Sequence, residues 1–145
     1  MSAARSACAS LAIVAFAIGC AAPAPPPATA IAAPIPLDRP HVVIVHAEWC
    51  AACQKVVPVI AWLRTEYAND VTFVDFDVTD DETARRSAAV AEPLGLGPFF
   101  AQNRNTPGIT VLGRNGKTIH HFTVEGRPGP YRSAVTEALG TFRAP

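Results

Sequence analysis

An excess of charge of either sign is the first thing this chain lacks. Twelve Lys and Arg stand against twelve Asp and Glu in 145 residues, with no basic cluster. Nucleic acid therefore has no electrostatic footprint to bind, and proteins are the expected partners. A long hydrophobic run is missing as well. The apolar stretch from Leu11 to Ile18 holds about eight residues, too few to span a bilayer as a mature helix. Cysteine is scarce: Cys8, Cys20, Cys50 and Cys53 are the whole supply. Structural zinc normally takes four Cys or His ligands, and no second Cys pair exists to complete such a site, so no metal is expected. The length suits one domain with its own core.

What is present begins with an export signal over residues 1–20. Arg5 gives a weakly positive start, Leu11 to Ile18 the apolar core, and Gly19-Cys20 the close. A small residue followed by cysteine resembles the bacterial lipoprotein signal, which implies that Cys20 becomes the diacylated first residue of the mature protein. Ala17 and Ile18 fit that pattern imperfectly, so cleavage near Ala28-Thr29-Ala30 to a soluble product stays open. Residues 21–40 are almost only alanine and proline, with seven prolines from Pro23 to Pro40. Such a segment favours extended polyproline-type chain, cannot bury a core and reads as a tether. The expected location is the cell envelope or periplasm, with a lipid anchor on Cys20. There disulfides can form and persist, and processing leaves Cys50 and Cys53 as the internal pair.

Residues 41–142 read as the folded domain. The apolar run His41 to Glu48 feeds directly into Trp49-Cys50-Ala51-Ala52-Cys53, and Thr106-Pro107 stands just before a second β-branched run, Ile109 to Leu112. Two thiols at this spacing can close a small disulfide ring and trade two electrons with other thiols. A cis X-Pro bond is plausible at Thr106-Pro107. The pattern predicts strands at about 41–47, 71–77, 108–113 and 117–124, and helices at about 51–68, 80–92 and 129–141. Thr79 to Glu82 supply the start of the second helix, Gly140 the end of the last, and Asn115-Gly116 a hairpin turn. Around Pro93 to Arg104 the sequence reads as irregular. Phe99 and Phe100 within it are either a docking patch or core.

Together, Ala47-Glu48-Trp49 before the first cysteine, Pro58 five residues after the second, Thr106-Pro107 and Asn115-Gly116 resemble the thioredoxin superfamily over roughly residues 38–142. The resemblance implies an α/β, thioredoxin-like fold, a central mixed β-sheet flanked by helices. It implies thiol-disulfide oxidoreductase activity on client proteins, no cofactor, and a monomer fed by a membrane electron donor. Cys50, at a helix N-terminus, is the expected nucleophile, and Cys53, one turn in and more buried, the resolving thiol. Trp49, Thr106 and Pro107 are the expected substrate-binding residues, with Thr106 offering backbone N–H and C=O to the client chain.

The departures carry weight too. Ala51-Ala52 leaves the direction of electron flow open. Ile44 stands where thioredoxins usually carry a buried aspartate that helps deprotonate the resolving thiol. Asp75 on the neighbouring strand is the candidate proton acceptor in its place, and Asp77 is expected to be an exposed acid of little consequence. His46 replaces an aromatic four residues ahead of Cys50. It is a structural histidine, a tuner of the thiol, or a Cu(I) ligand beside the two sulfurs. Two rival readings therefore stand beside protein-disulfide reduction: a disulfide-forming oxidant and a copper-handling binding module.

Overall fold

A computed structural model describes residues 38–143, and the expected signal, Cys20 and all but the last three residues of the tether lie outside them. Four strands form one sheet: β1 (His41–His46), β2 (Thr72–Asp77), β3 (Gly108–Leu112) and β4 (Thr118–Phe122), in the order β2-β1-β3-β4. β1 runs parallel to β2 and antiparallel to β3, and β3 runs antiparallel to β4. The helices are α1 (Ala51–Glu66), α2 (Asp81–Ala91), α3 (Gly97–Gln102) and α4 (Pro128–Arg143). This is the thioredoxin-like α/β fold that the sequence resembles.

The sequence explains the layers. β1 and β3 are continuous apolar runs because both are interior strands buried on two faces. On one face Val42, Ile44, Ile109 and Val111 meet α1 through Val56, Val59 and Leu63, and α4 through Tyr131, Val135 and Ala138. On the other, Val43, Val45, Val74, Phe76 and Leu112 meet Ala91 of α2 and Phe100 of α3. β2 and β4 are the edges, and their patterns are correspondingly mixed. Tyr131 is wholly buried, and its hydroxyl donates to the Glu125 carbonyl at 2.9 Å, as a buried phenol requires. Desolvation pushes that hydroxyl's pKa up.

Local signals set most boundaries. α2 starts with a capping box, the Asp80 carboxylate accepting from Thr83 N at 2.8 Å while Thr83 Oγ1 accepts from Asp80 N at 3.0 Å. The β3–β4 turn uses positive φ at Asn115 (59°) and Gly116 (69°), a conformation these two residue types tolerate. Two expectations are corrected. α4 runs through Gly140 to Arg143, since Arg114 bonds the carbonyls of Thr141 and Phe142 and ties the last turn to the β3–β4 connection. The stretch read as irregular contains α3, because Phe100 is driven into the core against Phe76, ring centroids 4.7 Å apart. Phe100 is buried and Phe99 is half-buried against the same cluster, so these rings are core.

Phe100→Ala should therefore cost about 3–5 kcal/mol of stability by urea unfolding, and Phe99→Ala distinctly less. Equal losses would mean that Phe99, not Phe100 alone, anchors α3.

Candidate active site

β1 ends at His46, and the chain turns through Ala47 to Trp49 before α1 begins. Cys50 N donates to the Ala47 carbonyl at 3.1 Å, which fixes this turn. Cys50 then caps α1 in an extended conformation, and its Sγ accepts from Cys53 N at 3.1 Å. No acidic side chain occupies the first turn, so the positive end of the helix acts on the sulfur undiminished. Cys50 and Cys53 are joined as a disulfide, their Cα atoms 5.2 Å apart.

The cis Thr106–Pro107 bond brings the second half of the site against this turn. Thr106 Oγ1 lies 2.8 Å from Cys53 Sγ and 3.3 Å from the Val45 carbonyl, to which it also donates. In the disulfide the Cys53 sulfur has no proton, so the hydroxyl is the donor to either acceptor. Sequence reasoning gave Thr106 a backbone role, whereas the structure adds a side-chain contact to the inner sulfur. Gly108 follows because β3 passes too close for a side chain. A Cβ there would come within 3.0 Å of the Asn105 carbonyl and 3.4 Å of the His121 ring.

Two expectations about the thiols and acids need correction. Cys53 was expected to be the more buried sulfur, yet both cysteines are 6% exposed. What separates them is surroundings: Cys50 faces the helix-end amides, and Cys53 faces Thr106 and an internal cavity. Asp75 was the candidate proton acceptor for Cys53, a role that needs its carboxylate turned toward the disulfide. It is instead exposed, because β2 is an edge strand, and both its oxygens accept from the Arg64 guanidinium at 2.6 and 2.7 Å.

Asp77 was expected to matter little, and the structure gives it a positioning role that the sequence did not signal. Its carboxylate accepts from Thr79 N at 2.8 Å and Thr79 Oγ1 at 2.5 Å. Ser87 Oγ accepts from Asp77 N and donates to Asp77 O, at 2.8 and 2.9 Å. Thr79 Oγ1 in turn accepts from Glu48 N at 2.9 Å, and the Thr79 carbonyl accepts from Trp49 Nε1 at 2.8 Å. The exposed Trp49 is thus held by its indole N–H while its ring faces solvent. The Thr79 hydroxyl bond, above all, holds the Asp77 carboxyl below the usual carboxylate range.

A cavity of about 240 Å³ lies between α1 and the sheet; Cys53, His46, Glu48, Gln54 and Asp75 supply its polar groups. Among the described residues no three His, Cys, Asp or Glu side chains converge as metal ligands. His121 Nδ1 lies 2.7 Å from Thr110 Oγ1, and the His120 ring packs on Phe122 with centroids 4.2 Å apart.

A cysteine pair at the start of the helix after the first strand, faced by a cis-proline, on this sheet order, is the arrangement of a thioredoxin-like fold. Sequence comparisons point the same way. The thioredoxin family model matches residues 30–94. Thioredoxins of Mycobacterium bovis and Mycobacterium tuberculosis are 40% identical over 81 residues, which span 55% of this chain and 66% of each relative. Among solved structures, Fasciola hepatica thioredoxin aligns with a TM-score of 0.46 at 23% identity, covering 70% of this chain and 82% of its own. The germline-specific Drosophila melanogaster thioredoxin Deadhead gives 0.47 at 17%, covering 69% and 81%. The described domain has the thioredoxin-like fold, and in sequence it resembles thioredoxins.

Thr79→Val should raise the Asp77 pKa toward the ordinary value, about 3.9, in a carboxyl-carbon NMR titration. The sign for stability follows from the depressed native pKa. Asp77 stabilises the fold above the unfolded-state value and loses that contribution as pH falls through the native one, so the variant should lose less stability to acid than wild type. An unmoved Asp77 inflection would show that the hydroxyl is not what holds it.

Proposed function

We propose that this protein is an exported thiol-disulfide oxidoreductase that reduces disulfides of client proteins in the cell envelope. The observation that carries this reading is the Cys50–Cys53 disulfide at the N-terminus of α1 with the cis Thr106–Pro107 bond against it. Cys50 is the nucleophile: as a thiolate it is stabilised by the helix-end amides and dipole, and its sulfur already accepts the Cys53 N–H. It attacks a client disulfide, forms a mixed disulfide and expels one client thiolate. Cys53 then attacks Cys50 Sγ, closing the ring and releasing the second client thiolate. Two electrons pass to the client, and the ring must be re-reduced by an electron donor before the next turnover. Trp49, Thr106 and Pro107 form the surface that receives the client chain, with the Thr106 backbone offering a short β-type pairing that tolerates many sequences. The signal-like residues 1–20 and the Ala/Pro tether support export, and Gly19-Cys20 supports a lipid anchor beside a membrane electron donor.

Cys53→Ser should accumulate mixed disulfides with envelope proteins that disappear on treatment with dithiothreitol, and Cys50→Ser should accumulate none; the opposite pattern would reverse the two roles. A Cys50–Cys53 reduction potential near about −270 mV fits a reductant, and one near about −120 mV would make the protein a disulfide-forming oxidant. Metabolic labelling with a radioactive fatty acid should mark the full chain and not Cys20→Ser; equal labelling of both would remove the anchor from the proposal.

A further inference from the structure

Resolution of the mixed disulfide requires Cys53 to lose a proton, and the side chains around it limit where that proton can go. Ile44, on β1 beneath α1, carries no acceptor. Thr106 Oγ1 touches Cys53 Sγ, but a neutral hydroxyl takes up no proton near neutral pH. The cavity beside Cys53 opens another route. The titratable groups facing it are Cys53 from α1, Glu48 from the turn, Asp75 from β2 and His46 from β1, while β3 and the loop before it contribute only Ile109 and Pro107. Both Asp75 oxygens are engaged by Arg64. Glu48 is exposed, and its segment is drawn toward Thr79. His41 is spent on the Arg39 carbonyl and His121 on Thr110, whereas His46 lines the same cavity as the inner sulfur. Asp77 is its register partner on β2. Imidazole is the side chain best suited to exchange a proton near neutrality.

We infer that His46 is the proton-accepting group for Cys53, reached through water in the cavity between α1 and the sheet. The volume, about 240 Å³, has room for water, and His46, Glu48, Gln54 and Asp75 give it polar partners within a largely apolar lining. In the mixed disulfide the Cys53 S–H proton passes through cavity water to the imidazole. The Cys53 thiolate attacks Cys50 Sγ, the bond from Cys50 to the client sulfur breaks, and the client leaves as thiolate to be protonated by solvent. The imidazolium returns its proton to solvent at the open side of the cavity. This rests on the redox reading above, with Cys50 as nucleophile and Cys53 as resolving thiol, and names the residue that serves its second step.

The test is stopped-flow kinetics of the reduced protein with a small aromatic disulfide, which needs no client and separates attack by Cys50 from resolution by Cys53, read across pH. His46→Ala should slow resolution about 10- to 100-fold near neutral pH, at or below the lower end of ordinary general-base contributions. Attack by Cys50 should stay within about twofold, and millimolar imidazole should restore resolution by entering the enlarged cavity. His46→Gln, which keeps polarity without basicity, should be as slow as His46→Ala and lose the same pH inflection. Unchanged resolution in both variants, a slowing of both steps that imidazole does not relieve, or loss of the inflection in Asp75→Asn instead would each overturn the assignment. A wild-type protein whose Cys50 fails to attack the disulfide at all would instead refute the redox reading, so the two failures are distinguishable.

Discussion

Everything in this domain hangs on the burial of β1 on both faces and its hydrogen bonding on both edges. Val42 and Ile44 belong to the cluster under α1 and α4, and Val43 and Val45 to the cluster under α2 and α3. The same strand delivers the site. Val45 lies opposite Gly108 on one side and Phe76 on the other, so the cis-proline loop and the Asp77–Thr79 bracket arrive at the Cys50 turn from opposite neighbours. A strand that could slip by one residue would exchange the two cores and misplace both halves of the site. Side chains fitted to two different clusters and two occupied edges oppose that slip.

The chemistry around the sulfurs is arranged by neutral groups more than by charges. Cys50 meets amide N–H groups, Cys53 meets a hydroxyl, and the Asp75 carboxylate is turned to Arg64 at the edge of the sheet. Ion pairs at such exposure contribute little to stability, so Arg64–Asp75 adds little to the fold. The charged group that does shape the site is Asp77, which acts by holding Thr79 and, through it, the backbone of Glu48 and the indole of Trp49.

The parts of this architecture that were legible in the sequence are those written in local pattern. β1 and β3 announced themselves as apolar, β-branched runs, α1 by the spacing of Val56, Val59 and Leu63, and α2 by its acidic cap. The thiol pair and Thr106–Pro107 stood out by motif. What escaped notice depends on contacts distant in the chain. α3 exists because Phe100 finds Phe76, α4 runs past Gly140 because Arg114 holds its end, and Asp77 matters because Thr79 reaches back to Glu48 and Trp49 across 30 residues. Edge position decided Asp75. Nothing in the alternation of β2 tells which of its neighbours leaves it uncovered.

The disulfide closes a loop spanning only three residue steps, wholly inside the first turn of α1. In the chain-entropy model a ring so small restrains the unfolded chain by about 2 kcal/mol, against nearly 5 for a loop of about a hundred residues. The cross-link is thus a reagent and not a girder. The two large hydrophobic clusters contain neither cysteine, so the molecule can spend and recover its bond repeatedly without putting its main core at stake.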